Sequence, residues 1–415
     1  MLSSIPQDYR ISSVYSFDNP VRFIFGPGSI ARLSDELNRL SARKVCIVAD
    51  ANCEKIGLIK RVVRNIPKDV TFDIFPEVHD EPTTDTMDQA VEFVRKQQPQ
   101  QVIGIGGGSA MDTAKIAAAL ARSEGKTEDY FSLPPSAPAR QFKPSVKTIL
   151  IPTTSGTGSE ADNGVVVITR VKGRKMKLVT GSPTMYADVA IVDPEMTLTL
   201  PPRQTAGCGM DALSHLLEGY LSSETFPVSD MFALKGTQLV FRSLRRAYHD
   251  GSDIAARFDM ALAAALGGYI FSFPWFAAYL GHAVAEYAGA NFAIPHGVAC
   301  GIALPYMMEF NLPATTERLA LLAKTIDSHI AGTTREMAAK AVEMVAGLIH
   351  DIDLPVSFRE VGVPESEVKP MAKDLFEIIQ HGYNLPATLP RKLTADNAYD
   401  YVRNMWDGKI LGRQL

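Results

Sequence analysis

The chain has 415 residues, 46% of them hydrophobic and 21% charged, a balance typical of soluble globular proteins and enough length for two or three domains. A net charge of −4 offers no basic surface for nucleic acid or an anionic membrane. The four cysteines form no CxxC pair, which argues against a disulfide scaffold and for free thiols in a reducing cytosol.

The N-terminus MLSSIPQDYR lacks a basic segment followed by an apolar run, so no secretory signal is expected and the expected location is cytoplasmic. VRFIFG (21–26) reads as an early strand. KVCIVAD (44–50) is a buried strand ending in an acid, and VTFDIF (70–75) is another strand. TTDTMDQAVEFVRKQQ (83–98) is an amphipathic helix, QVIGIG (101–106) a strand, SAMDTAKIAAALA (109–121) a helix and VKTILIP (146–152) a strand. SLPPSAPARQFKP (132–144) is a Pro-rich surface loop between them. VVVITR, KMKLVT and ADVAIVD follow as short strands. Strands alternating with helices predict a mainly parallel sheet covered on both faces. After LTLPPRQTAG (198–207) the pattern turns helical to the end. The expected organisation is therefore an α/β dinucleotide-binding domain over 1–198 and an all-helical metal-binding domain over 199–415. From Ala261 to Ala285 no Asp, Glu, Lys or Arg occurs, but Gly267, Gly268, Pro274 and Gly281 interrupt the run. It reads as two buried core helices joined near Ser272-Phe273-Pro274, not as a membrane span.

Three segments carry cofactor chemistry. In VIGIGGGSAMDTAK a strand feeds a turn of Gly106, Gly107 and Gly108 and then a helix opening at Ser109. Glycines let backbone N–H groups approach an anion, and the helix N-terminus adds partial positive charge, so a pyrophosphate fits there. Asp112 follows in the same helix and is grouped with the cofactor set. The spacing is not GxGxxG. Asp50 ends a strand, where an acid binds a ribose 2′-hydroxyl and repels a 2′-phosphate, which favours NAD over NADP. It precedes the glycine turn by over fifty residues, the reverse of the usual order. IPTTSGTGSEAD (151–162) packs Thr153, Thr154, Thr157, Gly156 and Gly158 after a strand, a segment suited to a ligand more than to a core.

Metal chemistry enters with Asp211, His215, His282 and His296. Asp211 and His215 stand four apart in the helical GMDALSHLLEGY, on one face. His282 lies in the helical LGHAVAEY, and His296 at a helix start in IPHGVA. One carboxylate beside three imidazoles suits a divalent metal with a position open for substrate.

Together IGIGGGSAMDTAK, IPTTSGTGSE, AIVDPEM, GMDALSHLLEGY and NFAIPHGVACGIALP resemble the iron-containing (group III) alcohol dehydrogenase family. The resemblance runs from about residue 20 to about residue 400. It implies an α/β dinucleotide domain, a helical domain and a metal between them. It places the metal on Asp211, His215, His282 and His296, the pyrophosphate on Gly107, Gly108 and Ser109, and further cofactor contacts on Thr153 and Thr154, with Thr157 and Gly158 nearby. A lysine near the nicotinamide ribose matches Lys177. Two positions depart from the family. A second histidine four residues after the third ligand is Glu286 here, a candidate proton relay. An Asn-Pro-Thr of the first domain is Glu81-Pro82-Thr83. The implied activity is hydride transfer between a small primary alcohol, or its aldehyde, and NAD, with iron, zinc or manganese as the metal. A homodimer or higher homo-oligomer is expected, with VRFIFG able to pair across a two-fold axis. The rival readings are an NAD- and metal-dependent lyase or cyclase resembling dehydroquinate synthase, and a non-catalytic NAD-binding sensor.

Overall fold

Strand segments that are apolar on both faces bury best in the middle of a layered structure, and those of the first half do so. A computed structural model of the chain describes residues 16–78, 82–131, 139–143, 145–171, 174–225, 227–270, 279–381 and 388–414. Its strands are β1 (Arg22–Phe25), β2 (Lys44–Asp50), β3 (Thr71–Val78), β4 (Gln101–Gly106), β5 (Lys147–Pro152), β6 (Gly164–Val171), β7 (Arg174–Gly181) and β8 (Val189–Val192). Six of them form one sheet in the order β1-β8-β5-β4-β2-β3, every pairing parallel. The other two, β6 and β7, form a separate antiparallel hairpin. The strands expected from VVVITR and KMKLVT are therefore present but lie outside the main sheet.

Helices α1 (Leu33–Arg39), α2 (Ala51–Lys55), α3 (Leu58–Val63), α4 (Thr84–Gln97) and α5 (Gly108–Leu120) belong to this region. Successive strand side chains point to opposite faces. Val45, Ile47 and Ala49 of β2 therefore join a core with Leu33, Leu37, Leu58 and Val62, while Cys46 and Val48 join another with Met87, Val91, Met111 and Ala114. Both faces are covered, as a parallel sheet requires.

From residue 202 onward the elements are helices, apart from a short ribbon near the C-terminus: α6 (Pro202–Tyr220), α7 (Pro227–His249), α8 (Ile254–Ile270), α9 (Leu280–Phe292), α10 (His296–Asn311), α11 (Thr316–Ile326), α12 (Thr334–Asp351), α13 (Val368–His381) and α14 (Ala395–Asp407). The chain divides into two compact units. One takes Asp18–Pro201 and the stretch from Asp250 that carries α8; the other takes Pro202–His249 and the helices from α9 onward. Helix α8 groups with the α/β unit although its composition matches the helical half. The cause is long-range packing: a Cβ on Gly268 would stand 2.1 Å from the carbonyl oxygen of Gly158, and the Phe25 and Phe258 ring centroids are 4.5 Å apart. The junction expected at Ser272-Phe273-Pro274 lies outside the described residues. Among those residues, no helix is long and apolar enough to cross a membrane.

Candidate metal centre and dinucleotide loops

Sheet order explains why Asp50 and the glycine turn belong together despite their separation in sequence. The chain leaves β2 toward β3 on one side and returns to β4 on the other, so β2 and β4 flank a topological switch point, where open α/β sheets bind ligands at the carboxyl ends of their strands. Ala49 pairs with Ile105, which sets Asp50 beside Gly106. Gly106 has a φ of +148°, and a Cβ there would meet Ala110 Cβ at 2.7 Å and Asp50 Cβ at 2.9 Å. Only glycine fits this turn. The Asp50 carboxylate accepts the Asn52 N–H at 2.7 Å, capping α2.

The threonine loop follows β5, the other neighbour of β4. Thr153 N–H donates to Gly106 O at 2.9 Å, and a Cβ on Gly108 would lie 2.6 Å from Thr157 Cγ2. Gly106–Ser109 and Thr153–Gly158 therefore form adjoining backbone surfaces around the N-terminus of α5. Beneath them is a buried brace. Asp112 accepts the Ser159 hydroxyl at 2.5 Å and the Val166 N–H at 2.9 Å. Lys115 Nζ donates to Asp162 Oδ1 at 2.8 Å and to Gly164 O at 2.9 Å. Both Asp112 oxygens accept hydrogen bonds inside the protein, tying α5 to the loop after Gly158 and to β6. Burial pushes the Glu160 carboxyl up to about 7 and the Asp162 carboxyl up to about 6. Lys177 lies in β7 opposite Ile168, which bridges to Thr83. Glu81 lies outside the described residues.

In the helical unit, α6 carries Asp211 and His215 one turn apart, α9 carries His282, and His296 is the first residue of α10. Helices α6 and α10 approach closely because a Cβ on Gly297 would stand 2.2 Å from Gly207 O; glycine at 297 brings His296 toward Asp211. Asp211 Oδ1 lies 3.5 Å from His215 Nε2, 3.6 Å from His282 Nε2 and 3.6 Å from His296 Nε2. Two donors each about 2.1 Å from one cation at a tetrahedral angle stand roughly 3.4 Å apart. The observed separations match donors arranged around an ion and are long for hydrogen bonds.

The side chains around Asp211 fit a cation on two further counts. Asp211 Oδ1 and His282 Nε2 are buried and have no hydrogen-bond partner among the described residues, a costly arrangement unless something else satisfies them. Burial raises the Asp211 carboxyl, yet His215 first, then His282 and His296, pull it well below the usual carboxylate range, so it is an anion. Glu218, seven residues after Asp211 on α6, accepts His282 Nδ1–H at 2.8 Å and the His282 backbone N–H at 2.9 Å. With the proton on Nδ1 facing Glu218, Nε2 is the ring nitrogen left to present a lone pair to a cation. Ring stacking of His215 on His282, with centroids 4.6 Å apart, fixes the same face.

Sequence reading missed two neighbours of this site. Glu218 is one, and its spacing from Asp211 was the available signal. Cys300 is another: its sulfur belongs to a quartet with Asp211, His282 and His296 whose ligating atoms lie within 4.8 Å of one another. It stands four residues after His296, on one helix face. Tyr279, three residues before His282, is a further neighbour. Its hydroxyl donates to Glu286 Oε1, and its ring stacks on His282 at 5.6 Å between centroids. Phe271, Phe273, Trp275 and Phe276, close to His282 in sequence, lie outside the described residues.

Comparison with known proteins agrees over nearly the whole chain. The family described as iron-containing alcohol dehydrogenase matches residues 20–194, and the C-terminal family of the Fe-containing alcohol dehydrogenases matches residues 205–402. Long-chain-alcohol dehydrogenase 1 of Geobacillus thermodenitrificans (strain NG80-2) is 36% identical over 361 residues, covering 85% of this chain and 89% of the relative. NAD-dependent methanol dehydrogenase of Bacillus methanolicus is 31% identical, covering 94% of this chain and 99% of the relative. Among solved structures, a 1,3-propanediol oxidoreductase superposes with a TM-score of 0.87 at 28% identity, covering 95% of this chain and 100% of its own.

Proposed function

This chain belongs to the iron-containing alcohol dehydrogenase family, and from that premise we propose that it interconverts a small primary alcohol and its aldehyde by hydride transfer with NAD. The observation that carries the reading is Asp211 Oδ1 at 3.5–3.6 Å from three imidazole nitrogens on three helices. Asp211, His215, His282 and His296 would hold one divalent cation, iron by family, with zinc or manganese compatible with the donors. When bound there, the cation supplies Lewis acidity that eases loss of the alcohol proton and polarises the aldehyde carbonyl, a contribution of several kcal/mol. NAD supplies the hydride acceptor.

The chain's own residues do the rest. Glu218 orients His282 through two hydrogen bonds. Gly107, Gly108 and Ser109 present backbone N–H groups to the pyrophosphate, and Thr153, Thr154, Thr157 and Gly158 line the adjoining loop. Asp50 accepts the ribose hydroxyls and repels a 2′-phosphate. Lys177 is assigned to the nicotinamide ribose by family position. Four free cysteines support a reducing compartment, and β1, at an edge of the six-stranded sheet, supports pairing with a second copy.

Small aldehydes with NADH, and the matching primary alcohols with NAD, test the reaction on enzyme loaded separately with iron and zinc. Steady conversion of the nicotinamide is expected; tight NADH binding without turnover of any pair would end the assignment. In the same assay Asp50→Ala should cut the preference for NAD over NADP by about tenfold or more, since one repulsive charge and one ribose partner are lost. An unchanged ratio would take Asp50 out of cofactor selection.

Glu286 replaces the family's second histidine, and its bond to Tyr279, which stacks on His282, supports a proton relay there. Glutamine keeps the shape but is a poor proton acceptor, so Glu286→Gln should lower kcat by about 10²-fold and shift the pH profile, leaving the KM for NAD unchanged. An unaltered kcat and profile would make the pair a brace for α9.

A further inference from the structure

The donor set contains one atom more than the family's one carboxylate and three imidazoles. Cys300 Sγ lies 3.6 Å from His296 Nε2 and 4.0 Å from His296 Nδ1. One helical turn alone could place these two together. Helix spacing does not explain the rest. The same sulfur lies within 4.8 Å of the ligating atoms of Asp211 and His282, which come from α6 and α9. Two atoms of that quartet, Asp211 Oδ1 and His282 Nε2, are buried without hydrogen-bond partners among the described residues. Cys300 itself is 1% exposed. A nitrogen about 2.1 Å and a sulfur about 2.3 Å from one ion, at a tetrahedral angle, stand roughly 3.6 Å apart.

We propose that Cys300 is a further ligand of the cation held by Asp211 and the histidines. The inference rests on the metal site proposed above and adds a sulfur to it. Binding exchanges the S–H bond for a metal–sulfur bond and releases one proton to solvent. The other ligands and their roles stay as described. A soft thiolate beside imidazoles favours zinc and cobalt over manganese, which prefers oxygen, so this chain would be more zinc-selective than a site of one carboxylate and three imidazoles.

The test uses the full-length protein, stripped of metal and reloaded with one equivalent of cobalt(II), alongside Cys300→Ser and Cys300→Ala. Cys46, Cys53 and Cys208 are common to all three proteins, so any difference belongs to Cys300. Wild type should show a near-ultraviolet sulfur-to-cobalt charge-transfer band, and both variants should lose it while keeping the visible ligand-field bands of bound cobalt. Zinc X-ray absorption on wild type should require one sulfur at about 2.3 Å. Zinc binding should weaken by about tenfold or more in the variants, with manganese binding little changed. If wild type binds cobalt stoichiometrically with no such band and no zinc–sulfur shell, the proposal falls and the metal site stands. If wild type binds no cobalt or zinc, both fall. Equal weakening of zinc and manganese would reduce Cys300 to a packing role and overturn the ligand assignment.

Discussion

Asp211→Ala should abolish specific metal binding and lower turnover by on the order of 10³-fold or more, while the helical unit stays folded. Asp211 Oδ1 stands within 3.6 Å of a nitrogen on each of the three histidines. It also brings a negative charge to all three of them. Losing the Lewis acid removes several kcal/mol of transition-state stabilisation, and each ~1.4 kcal/mol is a factor of ten in rate. Stability gives an independent readout. A metal that binds only the folded chain stabilises it by about 4 kcal/mol at a thousandfold excess over its Kd. Zinc should therefore raise the Tm of metal-stripped wild type and leave that of Asp211→Ala where it was. An equal zinc shift in both proteins, with activity retained, would place the ion elsewhere and remove the mechanism with it.

How much of this was legible beforehand depended on the range of the interactions. Asp211 and the three histidines around it could be singled out because histidines in apolar helices are chemically conspicuous and because Asp211 and His215 share a helical face. Convergence of α6, α9 and α10 could not be read from periodicity; it depends on contacts such as Gly207 against Gly297, ninety residues apart. Asp50 shows the same limit. Its order relative to the glycine turn looked irregular until the pairing of β2 with β4 set it beside Gly106. Cys300 and Glu218 were within reach, since each lies at helical spacing from a recognised residue. They were missed because a single thiol or acid in a helix is more often packing than chemistry. Helix α8 could not be assigned from its own residues at all, because an apolar helix carries no label for the surface that buries it.

The brace under the cofactor loops carries the largest expected effect on stability. Lys115, 1% exposed, is the cation among three buried carboxyl groups, Asp112, Glu160 and Asp162. Methionine fills its volume but leaves those groups uncompensated, and breaking a buried pair in this way costs about 3–5 kcal/mol, or on the order of 10 °C in Tm for the α/β unit. The deficit should depend on pH with a definite sign. Burial sets Asp162 at about 6 and Glu160 at about 7 in the folded chain, above their unfolded values. The folded state therefore holds more protons than the unfolded one between roughly pH 4 and pH 7, and stability falls as pH rises through that window. Removing Lys115 raises both groups further, so the loss extends to higher pH and deepens. The Tm gap between wild type and Lys115→Met should be small at pH 5 and largest at pH 8. A gap of the same size at both values would mean that lost packing, not charge, is responsible. The brace also holds the loop bearing Thr157 and Gly158 against α5, so at pH 8 the KM for NAD should rise more than kcat falls, and lowering the pH to 6 should narrow the difference from wild type.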